Sequence, residues 1–322
     1  MNSEKVLGLH HMTAICGPAQ ENVDFFVGVL GMRFLKLTVN FDDPNAYHLY
    51  YGDGLGTPGT IITFFPYPEG RGGTVGNGMV GTTSLAVPPD SLGFWSERFA
   101  KYSVPFGSPL MRGDEEVLAF ATPDGLPMEL VAADDYKAGK PWADMPIDAE
   151  NAISGMRGVR IFAADAEPTD KIVTGVLGFD PVGEFAEEDA SYARYQAADG
   201  SLIDIVERSD FPYGRSGHGT VHHIAFRATD DPAQLRLLDK VHTYGLQASP
   251  VMDRNYFHSI YFREPGHVLF EIATDPPGFT VDESPETLGT ALKLPAQYEA
   301  YRSQIEKTLP RLHVPSGAQV RS

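Results

Sequence analysis

The chain has 322 residues, 42% hydrophobic and 21% charged, with 25 basic against 43 acidic side chains and a formal charge of −18. That length suits about two globular domains, and the acidic excess repels phosphate backbones and anionic lipid, so no nucleic acid and no membrane is expected as partner. No apolar run approaches the roughly 18 residues of a membrane span, and no signal peptide is visible, so a cytoplasmic protein is expected. The single Cys16 excludes an internal disulfide and a thiolate metal site, which leaves histidine and carboxylate to hold any metal.

Glycine (33) and proline (25) are abundant, as in an α+β protein with many turns. The first predicted unit opens with an extended run at His11–Ile15. A helix follows, with Val23, Phe26, Val27 and Leu30 at i, i+3, i+4 and i+7. Gly31 ends it, and strand-like runs such as Tyr47–Tyr51 complete the unit. Pro66–Gly78 reads as a connector. The second unit starts at Thr82–Val87 and places its helix on Leu92, Trp95, Phe99 and Tyr102, and Asp134–Ala149 reads as a second connector.

The third unit announces itself by repetition: Gly-Val-Leu-Gly at 28–31 recurs at 175–178, between a run at Gly158–Phe162 and another at Ile203–Val206. The fourth starts at Val221–Phe226, with a helix predicted around Leu235, Leu238 and Val241. The chain therefore reads as four βαβββ units near residues 7–66, 80–133, 153–208 and 219–275. Two units per domain give an N-terminal domain at 1–145, a C-terminal domain at 146–280, and an acidic loop with a C-terminal helix at 281–322. In that last helix Tyr298, Tyr301, Ile305 and Thr308 or Leu309 are expected to form one apolar stripe, ended by Pro310.

Aligned first strands match His11 with Ser84, Gly158 and His223, so units one and four alone keep a histidine there. On the fourth strand, Gly266–Glu271 carries a carboxylate in an apolar run. Phe64 and Ile205 are the expected counterparts of Glu271, with Glu129 one residue out of step. A buried carboxylate is costly unless it is paired or bound to a cation. His11, His223 and Glu271 together form one complete set of two imidazoles and a carboxylate, suited to a divalent metal with open positions. Ligand type alone leaves Fe(II), Zn(II) and Mn(II) all admissible. Because these ligands come from the first and last units, the ends of the repeat array are expected to meet.

Several stretches carry a resemblance: Leu9-His-His-Met-Thr-Ala-Ile15, Asn40-Phe-Asp-Asp-Pro44, Tyr47–Asp53, Gly59–Phe65, Val221–Phe226, Asp253-Arg-Asn-Tyr-Phe257, Tyr261–Gly266, Leu269-Phe-Glu271 and Leu288–Pro295. The chain resembles the glyoxalase/bleomycin-resistance/extradiol-dioxygenase superfamily, the vicinal oxygen chelate (VOC) proteins, over about residues 7 to 310. Within it, the chain is most similar to ring-cleaving dioxygenases acting on hydroquinones. The resemblance implies paired βαβββ units around one metal, with His11, His223 and Glu271 as ligands of Fe(II), Mn(II) being the other candidate. It also implies a small aromatic diol and O2 as reactants, and it leaves a homo-oligomer open. His10, Thr13, His222, Arg254 and Tyr261 fall on positions that line the substrate side in the family.

Strict strand alternation would turn His10 and His222 away from His11 and His223, so they reach the cleft only from a strand end or a bulge. His48 and His258 are expected to be structural, and His267 stands where relatives carry a glycine. The superfamily also contains metal-dependent isomerases and ligand-sequestering proteins, which are the competing functional readings.

Overall fold

The computed structural model describes residues 4–133, 139–140, 142, 144–187 and 190–315. Parts of the connector expected at 134–149 (134–138, 141 and 143) and residues 316–322 of the tail lie outside the described residues. The strands are β1 (Leu9–Cys16), β2 (Arg33–Val39), β3 (Tyr47–Gly52), β4 (Ile61–Pro66), β5 (Met79–Val87), β6 (Leu110–Arg112), β7 (Glu115–Ala121) and β8 (Pro127–Ala132). They continue with β9 (Gly155–Ala163), β10 (Asp180–Ala186), β11 (Ser191–Gln196), β12 (Leu202–Glu207), β13 (Thr220–Ala228), β14 (Met252–Asp253), β15 (Phe257–Arg263) and β16 (Leu269–Pro277). After β1, β5, β9 and β13 come the helices α1 (Ala19–Val23), α2 (Leu92–Lys101), α3 (Glu167–Ile172) and α4 (Asp231–Thr243). The four βαβββ units are present in the expected order.

The strands form two curled eight-stranded sheets. One runs β14-β15-β16-β13-β1-β4-β3-β2 and joins units four and one; the other runs β10-β11-β12-β9-β5-β8-β7-β6 and joins units three and two. Each sequence-contiguous half thus contributes one unit to each sheet. The connectors after units one and three pair with each other through Gly72–His218, Thr74–Arg215 and Asn77–Tyr213.

The first helix buries Val23, Phe26, Val27 and Leu30, as the period requires. Phe26 stacks on Tyr51 at 5.0 Å and meets Phe64 at 4.6 Å, each burial being worth about 1.5–3 kcal/mol. The repeated Gly-Val-Leu-Gly marks a π-helical turn in both units, at Asp24–Val29 and Val173–Leu177. Both motifs end in a left-handed glycine, Gly31 (φ 69°) and Gly178 (φ 80°), where a β-carbon would be strained.

The helix expected around Leu235, Leu238 and Val241 is present as α4, while the stripe expected in the tail fails. On α4 the buried face is Ala233, Gln234, Leu237 and Val241, with Leu235 exposed. The polar Gln234 is drawn inward because its amide donates to the His258 and Ile272 carbonyls at 2.7 and 2.8 Å. In the tail, a 3-10 segment (Ala296–Tyr301) precedes α5 (Arg302–Thr308). Ile305 and Leu309 are buried, but Tyr301 points to solvent where the helix type changes.

The acidic loop is clamped by Lys36, fully buried on β2, which donates to Asp282 at 2.6 Å and to Glu283. At the β15–β16 turn, His267 adopts φ 82°, the conformation that favours glycine.

Candidate metal centre and cleft

The β1–β13 ladder has two bulges that decide the site. Leu9 pairs with Phe226 and His11 with Ala225, so His10 is an extra residue. Thr13 pairs with His223 and Ala14 with Val221, so His222 is the other. A bulge re-aims side chains, letting neighbouring histidines approach one another despite strand alternation. His10 Nδ1 lies 2.9 Å from His11 Nδ1, and His222 Nδ1 lies 2.8 Å from His223 Nδ1. Each doublet is thus a ligand candidate whose inner nitrogen is held by its neighbour, an arrangement that fixes tautomer and ring orientation.

Between the doublets, β16 delivers Glu271 opposite Ala225. Glu271 Oε2 lies 2.9 Å from His223 Nε2 and 3.3 Å from His11 Nε2, and the two nitrogens are 3.4 Å apart. An ion with ligands at about 2.1 Å and right-angled geometry separates adjacent donors by about 3 Å, so the three atoms fit one cation. No well-aligned hydrogen bond reaches Oε2 from the described residues, whereas Oε1 accepts from Ser259 Oγ. All three residues are buried, and among the described residues they form one such His/His/carboxylate cluster. Burial alone would raise the Glu271 pKa, but His11 and His223 hold it well below the usual carboxylate range. Burial lowers His223, leaving its imidazole neutral, as a ligand must be.

A cleft of about 530 Å³ opens over this cluster, in the size range of small-molecule sites. His11, His222, His223, Arg254 and Tyr261 line it. Arg254 Nε donates to the Tyr261 hydroxyl at 3.2 Å and a second nitrogen donates to Asp42 at 3.2 Å. Burial disfavours the Arg254 charge, but Tyr261 and Asp42 outweigh it and raise its pKa. Burial and Glu271 together keep the Tyr261 phenol protonated. Tyr261 sits opposite Glu271 in the ladder, with its ring 5.7 Å from His223, so the pair stands beside the metal candidates.

His10 and Thr13 do not reach the cleft surface. His10 is buried behind His11 against Phe257, and burial and His11 hold its pKa well below 6.5. Thr13 bonds Thr63 at 2.8 Å. His48, expected to be structural, lines the cleft, bonding Thr63 at 2.8 Å and the Tyr50 hydroxyl at 2.9 Å. Its ring packs 4.4 Å from Phe65. His258, its expected match in unit four, instead bonds Asp231 at 2.6 Å. Strand register separates the two: Tyr50 faces Thr63 as Tyr261 faces Glu271, so the counterpart of His48 is Ser259, which bonds Glu271 as His48 bonds Thr63.

The register also corrects the alignment of the units. Thr13 faces Thr63, Ser84 faces Glu129, Arg160 faces Asp204 and Ala225 faces Glu271. The counterparts of Glu271 are therefore Thr63, Glu129 and Asp204, and Thr82, not Ser84, matches His11. The bulges of the second ladder confirm this frame, with Gly81 and Arg157 as the extra residues.

The two sheets of paired βαβββ units, with a buried His/His/carboxylate cluster at the seam of one, define a protein of vicinal-oxygen-chelate architecture. The profile of the Glyoxalase/Bleomycin resistance protein/Dioxygenase superfamily matches residues 8–130 and 156–272, and the chain belongs to that family. It is 44% identical over 309 residues to a Bacillus subtilis (strain 168) protein provisionally named ring-cleaving dioxygenase MhqO, covering 95% of this chain and 97% of the relative. It is 35% identical over 317 residues to the chlorohydroquinone/hydroquinone 1,2-dioxygenase of Sphingobium indicum, covering 95% and 97%. A crystal structure of a provisionally named dioxygenase from Bacillus subtilis superposes with a TM-score of 0.90 at 44% identity, covering 97% of this chain and 99% of that one. Glyoxalase I of Zea mays shares the fold alone, at 13% identity and a TM-score of 0.64, over 83% and 92%.

Proposed function

We propose that this chain is a metal-dependent ring-cleaving dioxygenase that opens a hydroquinone-type aromatic ring with O2, with His11, His223 and Glu271 as the metal ligands. The convergence of these three buried donor atoms beneath an aromatic-lined cleft carries the reading, and the relatives' names support the reaction class. Divalent iron held there would supply a Lewis acid for a ring hydroxyl and a site for O2 activation. Ser259 holds the other oxygen of Glu271, and His10 and His222 orient the two imidazoles. Arg254 and Tyr261 face the reacting end, where a fixed cation and a protonated phenol stabilise negative charge on oxygen and hold a proton at the Tyr261 hydroxyl. Phe65, Phe257 and neutral His48 exclude water and receive the flat faces of the ring.

An isomerase of the glyoxalase type would want a further carboxylate as base. Among the described residues none joins the cluster, which favours the dioxygenase reading. The deciding experiment loads the metal-free protein anaerobically with Fe(II) and follows O2 consumption against hydroquinone and catechol. One O2 consumed per ring opened is the expected result; an iron-loaded protein without O2 uptake on any diol overturns the reading.

A further inference from the structure

We propose that Asn40 and Tyr67 form the distal end of the substrate pocket and receive the second oxygen of a para-dihydroxybenzene, selecting para-diols over monophenols and ortho-diols. The inference rests on the dioxygenase reading of the same cleft and deepens it to a substrate class.

The cleft is layered by strand register. The metal level holds His223 and Thr13, with Thr63 and Tyr50 alongside. One inward step along the strands, about 6.7 Å, brings Phe65 opposite Ile15, with His48 packed on Phe65. This layer is aromatic and aliphatic, and both nitrogens of His48 are already engaged by Thr63 and Tyr50. One further step brings Tyr67, beside Asn40 of the β2–β3 turn. A flat ring lying between the first and third levels has its two ends at polar layers and its faces against the apolar one.

Hydrogen-bond accounting then singles out Tyr67. Its hydroxyl accepts from Asn40 Nδ2 at 3.2 Å, and among the described residues nothing accepts its own proton. Burial together with Asp43 and Asp42 raises its pKa despite the Asn40 bond, so the proton stays on at neutral pH. Asn40 cannot turn away, because its Oδ1 accepts from the Asp42 amide at 3.0 Å and its backbone is paired with Ala46 and Asp43. Near the metal level Arg254 is committed to Tyr261 and Asp42 and His222 to His223, while the Ser216 hydroxyl, also on the lining, belongs to an exposed residue. Tyr67 is left as a rigidly held donor at the far end. A para oxygen extends toward that end, an ortho oxygen stays beside the metal, and a monophenol brings nothing to accept the bond.

The test measures anaerobic equilibrium binding of hydroquinone, catechol and 4-methylphenol to the metal-loaded protein, in wild type, Tyr67→Phe and Asn40→Asp. Tyr67→Phe is expected to weaken hydroquinone about fivefold to tenfold while leaving catechol and 4-methylphenol unchanged. Asn40→Asp keeps the acceptor for the Asp42 amide but offers a carboxylate to the Tyr67 proton, and so is expected to produce the same selective loss. An equal loss for all three ligands, or no loss for any, overturns the proposal. Oxygen uptake by the wild type separates the two readings. If it opens no hydroquinone ring, the dioxygenase reading fails; if it does and Tyr67→Phe keeps its preference, only the distal end fails.

Discussion

The two sheets of this protein are the same scaffold put to opposite uses. Both have the central antiparallel pair, both have two bulges in it, and both place acid at the matched fourth-strand positions, Glu271 with Thr63 in one sheet and Glu129 with Asp204 in the other. In the sheet of units one and four, the bulges carry His10 and His222, and Glu271 faces two imidazoles under a cavity of about 530 Å³. In the sheet of units two and three, the bulges carry Gly81 and Arg157, and arginines close the concavity to about 10 Å³. There Arg112 pairs with Glu129 and with Glu187 at 3.1 Å, while Arg194 meets Asp204 at 2.8 Å and Glu115 at 2.9 Å. A carboxylate on that strand is buried in either sheet and must be neutralised. One sheet uses fixed guanidinium groups; the other leaves two imidazoles and an open space, the arrangement a cation would complete.

The most direct way to break this contrast is to remove a ligand candidate. His223→Ala or Glu271→Gln is expected to lower activity by about a hundredfold or more and to empty the site, read by metal analysis after anaerobic purification. A protein that keeps its metal at full occupancy after either change contradicts the assignment. In the other sheet, Arg194→Ala leaves Asp204 and Glu115 buried without this partner. It is expected to cost about 3–5 kcal/mol by denaturant unfolding while metal content stays at the wild-type level. If metal content fell with stability, the sheets would be coupled in a way the contrast denies.

A smaller effect is expected from Ser259→Ala, which removes the donor to Glu271 Oε1 and should weaken metal binding about tenfold to a hundredfold in a chelator competition. The smallest concerns His48. Burial, with His11 and His223, holds its pKa well below 6.5 in the folded protein, so below that value the unfolded chain takes up a proton that the folded one refuses. Stability of the metal-free protein should therefore fall as pH drops from about 6.5. His48→Gln should flatten that slope by up to about 1.4 kcal/mol per pH unit. An unchanged slope would mean that His48 is protonated in the fold.

Much of this arrangement is legible in the residues themselves. The Gly-Val-Leu-Gly repeat and the apolar period around Phe26 set the four units, and the survival of His11, His223 and Glu271 in units one and four pointed to a shared site. Register was less accessible, because a one-residue slip exchanges the two faces of a strand and turn lengths differ among the units. Phe64 therefore stood in for Thr63, and Ile205 for Asp204, until strand pairing fixed them. Gln234 was invisible to a hydrophobic period because its burial depends on two carbonyls from distant strands. His48 looked like His258 in the sequence, and strand register, which matches His48 with Ser259, makes the difference.

The seam between the first and last units has a consequence for biosynthesis. His11 and His223 are separated by 212 positions, so β1 leaves the ribosome long before the strand that completes its sheet. The middle sheet, made of adjacent units two and three, can close first. Unit one must meanwhile wait with the unpaired edge of β1 exposed, an opportunity for wrong pairing between nascent chains. The ligand candidates cannot assemble until unit four arrives, so a chain stopped before β16 lacks the proposed site. Metal uptake during synthesis would then report that folding has finished.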